Sequence, residues 1–315
     1  MDINYEILQL NWEREPYGLY EPIEYTLAAG GKRVRPQLAM IACELFGGIA
    51  EDIAPAAMAL EVFHNFTLLH DDVMDHAQVR RGRPTVHVKW DENTAILSGD
   101  QMLIEAYKLL SSVPTEKLPT MLQLFNKMAT EICEGQQYDV DFENQEHVTI
   151  EEYLKMIRLK TAVLLATALK MGSYIAGASL EQQDMLYQFG INIGLAFQIQ
   201  DDILDVWGNP ETFGKAIGGD ISCNKKTFVA LTAIQLANPN TRTELEHWFS
   251  QTLTENTEKI AAVKTIYEQV GARSKCEEAV EQYTTQAMNL LDQLPQNKAT
   301  EQLRQLANKL NTRKN

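Results

Sequence analysis

His64-Asn65-Phe66-Thr67-Leu68-Leu69-His70-Asp71-Asp72-Val73-Met74-Asp75 is the stretch whose reading decides the fold. The residues leading into it, 57–69, are largely apolar and contain no Pro or Gly, the pattern of a buried helix. Carried on to residue 75, that helix sets Asp71 and Asp75 one turn apart on one face. Like charges so placed repel, so a cation between them is expected. Hard carboxylate oxygens suit magnesium, which completes its shell with waters and substrate phosphates. Phe197-Gln198-Ile199-Gln200-Asp201-Asp202-Ile203-Leu204-Asp205 repeats the arrangement: an apolar helix that ends in Asp-Asp-x-x-Asp. One acidic cluster reads as a solvated face. Two copies, each closing an apolar helix, point into a shared polar cavity.

The 315 residues are 45% hydrophobic and carry a formal net charge of −15. That charge argues against nucleic acid as a partner, since affinity there comes from phosphate contacts. Cations gather instead at 32–35, 80–83 and 215–226, as binding of a small polyanion requires. Cys43, Cys133, Cys223 and Cys276 form no C-x-x-C pair and read as free thiols in a reducing compartment. The acidic N-terminus has no signal-peptide pattern. The apolar run 161–180 is broken by Lys170, Gly172 and Gly177, which makes it a core helix and not a membrane span. A cytoplasmic protein is expected.

Helical periodicity runs throughout, with no alternating strand pattern. Helices are expected over 3–13, 22–29, 36–46, 52–75, 94–112, 116–140, 149–177, 180–206, 226–237, 242–253, 257–270, 274–294 and 300–310, with loops at 81–84 and 207–224. Thr149 and Glu152 have capping-box spacing. No linker divides the chain. The fold expected is all-α, a single large helical bundle around a central cavity, forming one domain over 1–315.

Helical geometry enlarges the acidic clusters. His64, seven before Asp71, lies near its face, as does Thr67; His70 points elsewhere and reads as structural. Gln198 sets an amide beside Asp201. Gly194 permits close approach, of a packed helix or of a ligand. The turn Gly30-Gly31-Lys32-Arg33-Val34-Arg35 places cations ahead of a helix start, where backbone N–H groups also favour anions. Arg80 and Arg81 follow the first acidic cluster; Lys215, Lys225 and Lys226 follow the second. Two acidic and three basic groups imply two phosphorylated ligands, one held through metal.

At these residues the chain resembles the trans-isoprenyl diphosphate (polyprenyl) synthases, short-chain farnesyl- and geranylgeranyl-type members included. The motifs stand in the family's order: Gly-Gly-Lys-Arg-x-Arg-Pro at 30–36, His-x6-Asp-Asp-x-x-Asp at 64–75, Arg80-Arg81-Gly82, Lys160-Thr161, Phe197-Gln198-x-x-Asp-Asp-x-x-Asp at 197–205, Gly214-Lys215-x-x-Gly218-x-Asp220, then Lys225 and Thr227. The resemblance implies a homodimeric, magnesium-dependent prenyltransferase. An allylic diphosphate would be held by three magnesium ions between the acidic clusters, with Asp71, Asp72, Asp75, Asp201 and Asp205 as metal ligands and Arg80, Lys160, Lys215 and Lys225 on its phosphates. Isopentenyl diphosphate would sit on Lys32, Arg35, His64 and Arg81. Ionisation to an allylic cation, attack by the double bond and loss of a proton to diphosphate would follow. Thr161, Gln198 and the Lys160 carbonyl would stabilise the cation.

The resemblance also gives the bulky residue five before the first Asp, here Phe66, the part of a floor under the growing chain, with Phe63 behind it. Five residues are about 7.5 Å of helix, room for a short product of fifteen to twenty carbons, with twenty favoured. Two features depart from the family: Asp-Asp-x-x-Asp stands where many bacterial farnesyl synthases have four intervening residues, and Asn224 replaces a frequent Gly. The C-terminus is only weakly basic. A non-catalytic partner subunit would not need both intact acidic clusters. An HD-type phosphohydrolase leaves residues 201–205 unexplained, and a terpene cyclase leaves Lys32 and Arg35 without purpose.

Overall fold

The computed structural model describes residues 2–209, 217–251 and 256–311. In chain order they form α1 (Ile3–Leu8), α2 (Tyr17–Ala28), α3 (Val34–Leu45), α4 (Ala50–Met74), β1 (Val79–Arg80), β2 (Arg83–Pro84), α5 (Val86–Lys89), α6 (Glu92–Leu110), α7 (Leu118–Asn144), α8 (Ile150–Ile157), a π-helical turn (Arg158–Ala162), α9 (Val163–Ile175), α10 (Leu180–Trp207), α11 (Gly219–Ser222), α12 (Phe228–Leu236), α13 (Pro239–Phe249), α14 (Thr257–Gln269), α15 (Ala272–Leu291) and α16 (Lys298–Asn311). The all-α expectation holds. Among the described residues no helix is long and apolar enough to cross a membrane.

The chain divides into two compact units. The first comprises Met1–Asn126, Thr167–Leu186 and Asn297–Ala299; the second comprises Lys127–Ala166, Tyr187–Gln296 and Thr300–Asn315.

The first unit is built on α4. Glu51 and Asp52 in its first turn complement the helix dipole. Beyond them it is buried on nearly every side, through Ile53, Ala57, Leu60, Phe63 and Leu69. Its alanines let α3 and α6 close against it. Three polar side chains, Glu61, Asn65 and Asp72, are buried in the same helix, so each must find a partner. After Asp75 the chain turns back. The loop expected at 81–84 is instead the turn and second strand of a small antiparallel ladder, with Val79 opposite Pro84 and Arg80 opposite Arg83. Arg81 and Gly82, at φ 53° and 75°, supply the paired positive φ angles of a two-residue hairpin turn.

In the second unit Thr149 and Glu152 close the capping box that starts α8. The single helix expected over 149–177 is three pieces, because the hydrogen-bond pattern widens to a π turn at Arg158–Ala162. Two glycines flank that turn. A Cβ on Gly135 of α7 would strike the Lys160 backbone nitrogen, and one on Gly194 of α10 would lie 2.5 Å from the Ala162 Cβ. Gly194 therefore serves helix packing. The apolar α12, capped by Thr227, lies against α8, α14 and α15.

Candidate active site

In the first unit, anion- and cation-binding groups converge at the C-terminal end of α4. Gly30, Gly31 and Arg33 all have positive φ (76°, 138° and 46°), so the chain curls tightly ahead of α3. Gly31 is needed there: a Cβ would sit 3.1 Å from the Arg81 guanidinium carbon. Arg81 reaches across from the hairpin, donating to the Gly30 carbonyl and, at 3.5 Å, to Asn65 Oδ1. Lys32 is exposed on this curl. Arg35 begins α3 with a buried Nε that has no hydrogen-bond partner. Burial brings its pKa down to about 10. A buried guanidinium N–H without a partner suits an anion.

Half-buried His64 stands close by. Burial, then Arg35, Arg81, Arg80 and Arg33, hold its pKa well below 6.5, so at neutral pH it is an uncharged imidazole with one N–H to give. The unfolded chain takes up a proton near 6.5 and the folded chain does not, so this group makes stability fall as pH drops below 6.5. The His64→Gln variant should lose stability less steeply between pH 6.5 and 5.5, by up to about 1.4 kcal/mol per pH unit. Parallel urea melts across that range measure it, and identical slopes would show that His64 is not the group responsible.

Arg80 lies against the first acidic cluster, at Asp72 and Asp71. Its Nε donates to both oxygens of Asp72, at 2.7 and 2.8 Å, and its Nη2 lies 3.5 Å from Asp71 Oδ2. Asp72 is buried, which raises its pKa against the pull of Arg80; Asp71 is partly exposed and Asp75 exposed as the C-cap of α4. Asp72 thus fixes the arginine, while Asp71 and Asp75 reach towards solvent. Arg33, read from sequence as one more cation of the turn, is turned inward. It is 6% exposed and pairs with Glu61 Oε1 at 2.7 Å, with a further bond to the Leu27 carbonyl at 2.5 Å. The signal was Glu61, an acid in an otherwise apolar helix.

In the second unit, Lys160 on the π turn meets Asp139 Oδ2 at 2.6 Å. Thr161 Oγ1 donates to Gln198 Oε1 at 3.4 Å, and Gln198 Nε2 to Asp202 Oδ1 at 3.4 Å. Thr161, Gln198 and Asp202 therefore lie along one line of side chains, and the Lys160–Asp139 pair starts from the residue next to Thr161. The three aspartates of α10 differ in surroundings. Asp202 is buried and accepts from Tyr153 Oη at 2.5 Å and the Phe228 N–H at 3.0 Å. Burial, then the charge of Asp220, push its pKa up to about 8. Asp205 accepts from the Asp220 N–H at 3.0 Å, and Asp201 is half-buried. Lys225 donates its backbone N–H to the Asp220 carbonyl, at 2.9 Å. Lys226 Nζ is engaged by the Phe142 carbonyl at 2.6 Å. Lys215 lies outside the described residues. Tyr153 and Asp139 were not anticipated; only their distant partners reveal them.

The donor set offered by each unit is carboxylate oxygen. Among the described residues no three His, Cys, Asp or Glu side chains are gathered into a ready cation cage. Such donors fit a hard ion that brings its own waters and substrate phosphates, which is how magnesium binds. The four cysteines are free thiols; burial pushes Cys43 up to about 11 and Cys276 to about 12, so these two remain protonated.

Comparison with known proteins agrees with this chemistry. The family described as Polyprenyl synthetase matches residues 16–270. A geranylgeranyl diphosphate synthase of Methanosarcina mazei is 44% identical over 222 residues, 70% of this chain and 68% of its own. A geranylfarnesyl diphosphate synthase of Natronomonas pharaonis is 37% identical over 312 residues, 93% of this chain and 89% of its own. The crystal structure of a geranylgeranyl pyrophosphate synthase superposes with a TM-score of 0.94 at 47% identity, covering 99% of this chain and 97% of that one. With motifs, fold and relatives in agreement, the chain belongs to the polyprenyl synthetase family and is a trans-prenyltransferase.

Proposed function

We propose that the enzyme condenses isopentenyl diphosphate head-to-tail with an allylic diphosphate (dimethylallyl, geranyl or farnesyl), releasing diphosphate and giving a short-chain product. The observation that carries this reading is the end of α4, where the anion-seeking groups Arg35, His64 and Arg81 stand beside the carboxylates of Asp71 and Asp72. Lys32, Arg35, His64 and Arg81 bind isopentenyl diphosphate. Asp71, Asp72, Asp75, Asp201 and Asp205 carry the magnesium ions, three per site, and Arg80, Lys160, Lys215 and Lys225 hold the allylic phosphates. Bound magnesium supplies charge neutralisation on the departing diphosphate. Thr161, Gln198 and the Lys160 carbonyl aim their dipoles at the allylic cation. The leaving diphosphate takes the proton, so no side-chain base is assigned. The chain works as one catalytic domain over 1–315 in the cytoplasm. Exposed Leu97 and Ile104, seven apart on α6 and 58% and 54% accessible, support a homodimer.

Product length is read from an aromatic stack on α4. Phe63 is buried, Phe66 lies 5.5 Å from it between ring centroids, and Phe63 is backed by Phe125 at 5.2 Å. We assign twenty carbons. Phe66→Ala should lengthen the main product by at least one five-carbon unit while leaving turnover within about tenfold, read by chromatography of labelled products. An unchanged product would remove Phe66 as the floor. The overall reading is tested by incubating the protein with magnesium, labelled isopentenyl diphosphate and each allylic primer. No condensation with any primer would overturn it.

A further inference from the structure

Among the described residues Lys259 is the one buried lysine, at 0% exposure, and no step above uses it. It stands in the first turn of α14, and its two acceptors are neutral oxygens, Asn224 Oδ1 at 2.5 Å and the Gln251 carbonyl at 3.0 Å. A buried ammonium facing neutral oxygens is costly, and a Met of similar length would fill the same space without that cost. What the lysine secures is the backbone of the turn ahead of α12. Asn224 has φ 55°, in the left-handed region that asparagine enters more readily than other non-glycine residues, and its N–H bonds the Ile221 carbonyl at 3.2 Å. The next residue, Lys225, bonds the Asp220 carbonyl at 2.9 Å, and the Asp220 N–H bonds Asp205 Oδ1 at 3.0 Å. One peptide bond therefore separates the Lys259 tether from Lys225, and the same turn is anchored on a carboxylate of α10.

We propose that Lys259 is a positioning residue for allylic diphosphate binding: by holding the Asn224 side chain it fixes the left-handed backbone that sets Lys225 in place. Glycine at 224 would adopt the same backbone with no side chain to secure. Asparagine there brings an amide oxygen into the turn, and Lys259 is its donor. The inference rests on the assignment of Lys225 to the allylic phosphates.

The test compares Lys259→Met, Asn224→Gly and the double variant, measuring KM for the allylic primer, KM for isopentenyl diphosphate, kcat and Tm. Lys259→Met should raise the primer KM about tenfold and leave the isopentenyl diphosphate KM within twofold. Asn224→Gly alone should stay within threefold of wild type. The double variant should recover most of the lost primer affinity, because glycine needs no tether. A merely structural lysine would lower Tm without separating the two KM values. An unchanged primer KM in folded Lys259→Met, or no recovery in the double variant, overturns the proposal. If Lys259→Met does not fold, Asn224→Ala takes its place: it removes the acceptor and should raise the primer KM several-fold where Asn224→Gly does not, and equal KM values for the two would overturn the proposal. Lys225→Ala separates the two levels. If it leaves the primer KM unchanged, the assignment of Lys225 fails and the proposal with it; if it raises that KM while Lys259→Met does not, only the tether fails.

Discussion

Asp71→Asn should lower kcat/KM for condensation about a thousandfold, the scale on which removing one preorganised electrostatic group acts. The substitution keeps the shape of the side chain and removes only its charge. Asp71 stands at the last turn of α4, where its contact with Arg80 Nη2, at 3.5 Å, is longer than those Asp72 makes, so the Tm should fall less than for Asp72→Asn. Asp72→Asn is the informative contrast. Both Asp72 oxygens hold the Arg80 Nε and the carboxylate is 7% exposed, so its loss should cost stability and misplace Arg80 as well as weaken catalysis. Steady-state kinetics across a magnesium titration, with melting curves on the same samples, separates the two. Equal catalytic losses with equal Tm would mean that Asp71 and Asp72 have no division of labour.

The second large effect concerns stability. Arg33→Met should destabilise the protein by about 3–5 kcal/mol, because it leaves the Glu61 carboxylate buried without its cation. The pair is 2.7 Å apart with side chains only 4% and 2% exposed, and Asn65 Nδ2, 3.0 Å from Glu61 Oε1, cannot replace a charge. Removing both charges in Arg33→Met/Glu61→Leu should regain much of the loss, since no charge is left unpaired and only the Leu27 carbonyl and Asn65 Nδ2 each lose one bond. Urea melts of the three proteins decide it, and a single variant within 1 kcal/mol of wild type would show that the ion pair does not hold the turn. The single variant should also weaken binding of isopentenyl diphosphate: with Arg33 gone, the Glu61 charge is left to Arg35 and Arg81, both of which it already influences.

Helices that announce themselves by local chemistry were legible in the sequence: the capping box at Thr149, the apolar runs ending in aspartates, the glycine-marked turn before α3. The motif order also named Thr161 and Gln198, which the structure joins by a hydrogen bond, without showing the bond itself. What stayed hidden depends on partners far along the chain. Arg33 and Arg35 are two residues apart, and only the left-handed backbone at 33 and the buried Glu61 send one inward. Asp201 and Asp202 are neighbours, yet only Asp202 faces Tyr153 and the start of α12. The departure at Asn224 was visible as an oddity, and Lys259, which accounts for it, lies 35 residues away. The hairpin at 79–84 is too short to show a strand pattern.

The π turn at Arg158–Ala162 also changes how the surrounding sequence is counted. A π turn accommodates one residue beyond the α-helical repeat, so a helical wheel drawn unbroken through it is out of phase by about 100° on the far side. Positions before Arg158 and after Ala162 thus obey two different frames, and side chains that an uninterrupted wheel would stack fall on different faces. Deleting a single residue within the turn would merge the frames into one continuous α-helix and swing one flank about its axis relative to the other. Such a deletion at Arg158, Leu159 or Ala162 would be more disruptive than most substitutions there, although it removes no side chain named in the chemistry.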